Sequence, residues 1–213
     1  MKRTLKTVLA AATVAASSVS AWAANVSFTG ALAGDNDVQY FSFTLAATAD
    51  VTLRTWSYAG GVNAAGDAIA AGGFDPVISL FLGSGGGAVL LTSDDDGIGV
   101  ATDPATGAAR DALLALTGLP GGIYTVALSQ FANFATGPSL GDGFLGAGNT
   151  GFDGRSAAWA LDILGVDAAS SVPEPRSLAL ALLALAAAAA GAAAGRPAGR
   201  TNATPPPPKR LRP

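Results

Sequence analysis

Asp94-Asp95-Asp96-Gly97 is the densest run of potential metal ligands in the chain, and Asp75 and Asp111 fall to either side of it. Calcium takes roughly six to eight hard oxygens, and carboxylates strung along a turn can wrap around it. Alternate residues of such a run converge, so Asp94 and Asp96 point together while Asp95 points away. Asp75, Asp94, Asp96 and Asp111 are therefore the candidate calcium ligands, and calcium is the one cofactor expected. The pattern is not an EF-hand, because no acidic residue closes the loop at its twelfth position. A second use fits the same residues: aspartates start turns by accepting hydrogen bonds from nearby main-chain amides. The sequence leaves both uses open.

Another constellation lies in the glycine-rich stretch from Gly137 to Gly154. Phe131, Phe134, Phe144 and Phe152 sit in or beside it, among Asn133, Asp142, Asn149 and Asp153. Aromatic faces next to short polar groups can hold a sugar ring, which makes Phe131, Asn133, Phe134, Asp142 and Phe144 candidate ligand-binding residues. The plainer expectation, and the favoured one, is that the phenylalanines fold inward and pin a long loop.

Most other chemistry is excluded by inventory. The chain contains no cysteine and no histidine, which removes disulfides, ordinary zinc sites and Ser-His or Cys-His nucleophile pairs. Residues 24–172 hold three arginines (Arg54, Arg110, Arg155) against fourteen aspartates, with no lysine and no glutamate, a net charge of −11. A Ser-Lys pair is thus unavailable, and glycosidase chemistry is reduced to an Asp-Asp version. No Asp-Thr-Gly or Asp-Ser-Gly triplet suggests an aspartic protease. The expectation is a protein that is not an enzyme. So acidic a body is also not expected to bind nucleic acid.

The elements that position these residues read as short β runs separated by Gly, Asp and Pro turns. Phe41, Phe43 and Leu45 share one face of a strand over 38–45, and Val51, Leu53 and Thr55 share a face of the next. Residues 77–82 are more continuously apolar than the other runs, as for a strand covered on both sides. Runs at 25–29, 88–92, 112–116, 123–129 and 157–163 complete about eight strands, with no convincing helix, which predicts an all-β antiparallel sandwich over 24–170. The Ala/Gly-rich excursion from Gly60 to Gly72 is expected to be a mobile loop.

Both ends carry addresses. Lys2, Arg3 and Lys6 precede an apolar stretch from Leu5 to Ala16, and Ala21-Trp22-Ala23 supplies small residues for signal peptidase, so 1–23 reads as a signal peptide cut after Ala23. At the other end 171–177 reads as a polar hinge around Pro173-Glu174-Pro175. Residues 178–195 then form an apolar helix, and 196–213 a basic, proline-rich tail. Leu178 to Ala194 would make a helix of roughly 25 Å, enough for a thin bilayer. The basic residues after it would stay in the cytoplasm, leaving the body outside.

Pro173, Glu174 and Pro175, followed by one hydrophobic helix and a basic end, resemble the PEP-CTERM sorting signal of Gram-negative bacteria. That resemblance implies recognition of the three residues by an exosortase, transient residence in the inner membrane, and a final location at the envelope, outer surface or medium. The body resembles the bacterial pre-peptidase C-terminal domain. The resemblance rests on Gly73 to Phe81, Ser93 to Gly97, Asp111 to Leu114 and Leu119 to Leu128, with later motifs at Ser129 to Phe134 and Gly141 to Phe144. It implies a jelly-roll-like sandwich and favours the calcium reading. The function expected is that of a non-enzymatic envelope or extracellular-matrix protein linked to exopolysaccharide or biofilm. The alternative is a calcium-dependent carbohydrate-binding module.

Overall fold

Alternation of apolar and polar residues becomes alternation of burial along most strands. In the computed structural model, which describes residues 23–172, the long strands are β1 (Ala24–Ala31), β2 (Gln39–Leu45) and β3 (Ala49–Thr55). Two short strands follow, β4 (Gly61–Val62) and β5 (Ala68–Ile69), and then β6 (Pro76–Leu82), β7 (Val89–Asp94) and β8 (Leu113–Leu119). The chain continues through β9 (Gly122–Gln130), β10 (Ala158–Val166) and β11 (Ala168–Val172). Two one-turn 3₁₀ segments, Leu140–Asp142 and Thr150–Gly154, interrupt the connection between β9 and β10.

One sheet has the order β1-β10-β3-β8 and the other β11-β2-β9-β6-β7, with every pairing antiparallel. Their inner faces share one core. Phe41, Phe43, Ile78, Leu80, Tyr124, Val126 and Leu128 come from the five-stranded sheet, and Val51, Leu53, Leu114, Trp159, Leu161 and Ile163 from the four-stranded one. Phe43 stacks on Tyr124 with ring centroids 5.0 Å apart, and Phe41 meets Trp159 edge-on at 5.5 Å. The Tyr124 hydroxyl leaves the core to donate to the Pro120 carbonyl at 2.6 Å, which satisfies the one polar atom of that ring.

The nearly continuous apolar run of β6, broken only by Ser79, has its physical reason on the outer side of its sheet. Phe81 there packs with Val38, Ala88 and Ala127 in a second cluster, closed over by Ala135, Leu140 and Phe144 from the β9–β10 connection. The other sheet has a cover of its own, and here the expectation of a mobile loop at 60–72 is corrected. That stretch is the β4–β5 hairpin, with Asn63 and Asp67 bonded across its turn, and it lies against the outer face of β10. Asp162, buried on that face, accepts from Ser27 Oγ at 2.5 Å, Trp56 Nε1 at 2.7 Å and the Ala64 amide at 3.0 Å. A buried carboxylate with this many donors ties the hairpin down. Gly60, at φ +64°, enters the hairpin where a Cβ would lie 2.5 Å from the backbone of Ile69 and Ala71.

Ser171 and Val172, the first two residues of the stretch expected to be a hinge (171–177), instead pair with Phe41 and Tyr40 in β11. Ala21 and all but Ala23 of the expected signal peptide, the expected sorting residues Pro173, Glu174 and Pro175, and the stretches expected to form an apolar helix and a basic tail lie outside the described residues. No helix among the described residues is long and apolar enough to cross a membrane.

Candidate functional site

One pole of the sandwich gathers the end of β3, the start of β6, the end of β9 and the start of β10. The register places Thr55 opposite Leu161 and Gln130 opposite Pro76. The connections leaving these strand ends enclose a cleft of about 260 Å³. Tyr58 reaches it from the loop after β3, Asp75 from the residue before β6, and Gln130 from the end of β9. Thr106 and Arg110 come from the β7–β8 connection. Asn149, Phe152, Asp153 and Arg155 come from the segment before β10.

Aspartates hold the walls of this cleft. Asp111 Oδ1 accepts from the amides of Ser57 (2.6 Å) and Tyr58 (3.1 Å) and from Thr55 Oγ1 (3.1 Å), while Oδ2 takes the Ala59 amide (2.9 Å). The loop carrying Tyr58 is thereby fixed. Asp35 does the same for the opposite wall, accepting from the amides of Gly151 (3.0 Å) and Phe152 (3.3 Å). Those bonds support a left-handed turn in which Phe152 and Asp153 sit at φ +53° and +55°. Non-glycine residues take that conformation at a cost of roughly 1–2 kcal/mol each. The turn seats the Phe152 ring against Phe74, centroids 5.6 Å apart.

Positive charge is scarce in this body, yet two of its three arginines meet here. The Arg155 guanidinium lies 3.6 Å from the Tyr58 ring centroid and that of Arg110 lies 5.6 Å from it. Arg155 donates through Nε to the Gly73 carbonyl and through Nη2 to the Tyr58 carbonyl and to Asp103 Oδ2 at 2.5 Å. The Ala105 amide and then Arg155 hold the Asp103 carboxyl below its ordinary pKa. Arg110 donates through one nitrogen to Asp75 Oδ2 at 2.6 Å and remains 45% exposed at its side chain.

Asp75 is the anomaly. It is 9% exposed, and its second oxygen, Oδ1, is buried and accepts no hydrogen bond from the protein. Burial pushes its carboxyl up from 3.8 to about 6, against the opposing pull of Arg110 and with help from the charges of Asp96 and Asp95. Burial likewise raises Asp94, a shift limited by the Leu113 amide bonded to it.

The four candidate calcium ligands do not share a common point. Asp111 is occupied by the loop after β3, Asp94 Oδ2 accepts from the Leu113 amide at 2.8 Å, and Asp75 pairs with Arg110; Asp96 is exposed on the turn. Among the described residues, no group of three or more Asp, Glu, His or Cys side chains is placed to hold a metal ion. The phenylalanine candidates are not gathered into one face either. Phe131 and Phe134 contact each other edge-on at 5.6 Å, and Phe144 packs under the second cluster beside Tyr40. Asn133 is fully buried, donating to the Asn36 carbonyl and accepting from the Gly146 amide, and Asp142 caps its own turn through the Ser139 amide. These polar groups organise the loop.

Sequence reasoning flagged Asp75 and missed its companions Tyr58, Arg110, Gln130 and Arg155. The signal available was rarity: in a body without lysine, an arginine beside Asp111 is an unusual placement. No protein-family model and no curated protein sequence matches the chain.

Proposed function

We propose that this chain is a non-enzymatic exported protein of the cell envelope or extracellular matrix, carrying a jelly-roll-like body between a cleavable leader and a PEP-type sorting tail. The observation that carries the reading is the two-sheet antiparallel sandwich itself, whose strands β1 to β11 lie between the two stretches read as addresses. The strand order supports the jelly-roll description: of the connections between consecutive long strands, only β6 to β7 stays within one sheet. The use of the carboxylates supports a non-enzymatic body, because Asp35, Asp111, Asp142 and Asp162 are bonded to main-chain amides. A net charge of −11 over the body keeps it soluble and suits display outside the cell, in the company of exopolysaccharide.

The test is expression in a bacterium that has an exosortase and in the same strain lacking it, with fractionation and intact-mass measurement. The expected product begins at Ala24 in both strains, and its tail is shortened and the body released from the inner membrane only where exosortase is present. An uncut N-terminus, or identical products and fractions in the two strains, refutes the reading.

A further inference from the structure

We propose that the cleft between Tyr58, Asp75, Arg110 and Phe152 is a binding site for a neutral polyhydroxylated ligand, a single sugar residue of a glycan. This goes beyond the envelope reading and stands on the cleft alone. Asp75 Oδ1 is a buried acceptor without a protein donor, in a side chain that lines the cavity. A polar atom in that condition carries a desolvation penalty that a ligand donor removes. Beside it, Arg110 commits one nitrogen to Asp75 and keeps its half-exposed remainder for an acceptor. The site therefore asks for a donor and an acceptor a few ångströms apart. A hydroxyl pair on a sugar ring meets both demands, since each hydroxyl donates and accepts.

Charge narrows the class. An anion would meet Asp75, Asp153 and the excess negative charge of the body, whereas a cation would meet Arg110 and Arg155. A neutral molecule meets neither penalty. Size agrees, because about 260 Å³ lies just below the roughly 300–1,000 Å³ of drug-sized ligand pockets and suits one ring and not a chain of them. The half-buried ring of Phe152 offers an apolar wall for the ring C–H groups. The walls are prepared before any ligand arrives, Tyr58 by Asp111 and Arg155, Phe152 by Asp35 and Phe74. Little ordering remains to be done on binding.

The full chain, purified, is titrated by protein-observed NMR with glucose, galactose, mannose, rhamnose and N-acetylglucosamine, and with glucuronate as the anionic comparison. Saturable binding of at least one neutral sugar is expected, with glucuronate weaker. Asp75→Asn and Arg110→Ala should each weaken it at least tenfold with the spectrum of the sandwich core unchanged. Phe134→Ala, outside the cleft, should leave it as it was. Because Oδ2 accepts from Arg110, protonation falls on Oδ1 and removes it as an acceptor, so affinity should fall by about tenfold between pH 7.5 and pH 5, in the wild type and not in Asp75→Asn. The titratable and charged groups around Asp75 are Arg110, Arg155, Asp95, Asp96 and Asp153. Absence of saturable binding across the neutral sugars overturns the proposal. So does binding that survives both cleft substitutions, or glucuronate binding as tightly as the neutral sugars. None of these outcomes depends on how the chain is exported.

Discussion

Replacing Asp75 by Asn should invert an ordinary expectation, namely that removing one partner of an ion pair weakens a protein at neutral pH. Asp75 has its carboxyl raised from 3.8 to about 6 even with Arg110 at 2.6 Å, so burial outweighs the partner. A group that holds its proton more tightly when folded makes the native state bind more protons than the unfolded one. Stability then falls as pH rises from the unfolded pKa through the folded one. Two pH units at 1.36 kcal/mol each set the loss at about 3 kcal/mol between pH 4 and pH 7. The side chain is nearly covered, so solvent screening does not reduce this greatly. Asn keeps the shape and has no charge to desolvate. Urea unfolding of both proteins at pH 4, 5, 6 and 7.5 supplies the comparison, and subtraction cancels the other titrating groups, including Asp94 and Asp103, which shift in opposite directions. The gap between variant and wild type should move by about 3 kcal/mol in favour of Asn as pH rises. Parallel pH profiles would refute the reasoning, and a gap moving the other way would mean that Arg110 dominates after all.

Asp162→Ala should cost at least about 3 kcal/mol by leaving the Trp56 ring N–H and the Ala64 amide without their acceptor. Hydrogen exchange would register it locally as lost protection across 61–69, and unchanged protection there would contradict the role given to Asp162 in docking the hairpin. Tyr124→Phe removes the bond to the Pro120 carbonyl while keeping the ring stack on Phe43, so a loss of about 1 kcal/mol is expected in urea unfolding, with no change in m-value. Millimolar calcium or a chelator should leave the melting temperature unchanged, because Asp94 and Asp111 hold main-chain amides and not one another. A rise of several degrees with calcium would show a site that these contacts do not reveal.

How much of this was readable in advance depends on where each residue's partner lies. The faces of β2, β3, β9 and β10 are visible because Phe41/Phe43, Val51/Leu53, Val126/Leu128 and Trp159/Leu161/Ile163 alternate with residues of the other face. The two-sided burial of β6 was visible as an apolar run broken only by Ser79. The β4–β5 hairpin was hidden, since its strands are two residues long and its anchor, Asp162, lies 98 residues away from Ala64. β11 was hidden for another reason: Ala168-Ala169-Ser170-Ser171-Val172 has no apolar alternation, and as an edge strand it is mostly exposed. At the cleft the sequence marked Asp75 and Asp111 as chemically notable but could not assign their partners. Arg110 is 35 residues from Asp75, and the amides that occupy Asp111 lie more than 50 residues before it.

The same distances explain why a body without cysteine can carry so many aspartates and no glutamate. Asp35, Asp111 and Asp162 each reach backbone amides of a segment remote in the chain, and they do it at a strand end or in a loop where those amides have no ladder partner. The shorter carboxylate has one fewer rotor to order than glutamate, so the bond is formed at a smaller entropic cost. Such contacts fix these segments where a domain of another composition could use disulfides. They also put negative charge against the partial positive charge of main-chain N–H groups, which reduces the self-repulsion of an acidic body. Among the buried carboxylates of the described residues, Asp75 is the departure from this pattern. Its Oδ1 accepts no hydrogen bond from the protein, and its side chain lines the cavity. Asp75 is thus the buried aspartate that keeps an acceptor the fold does not use.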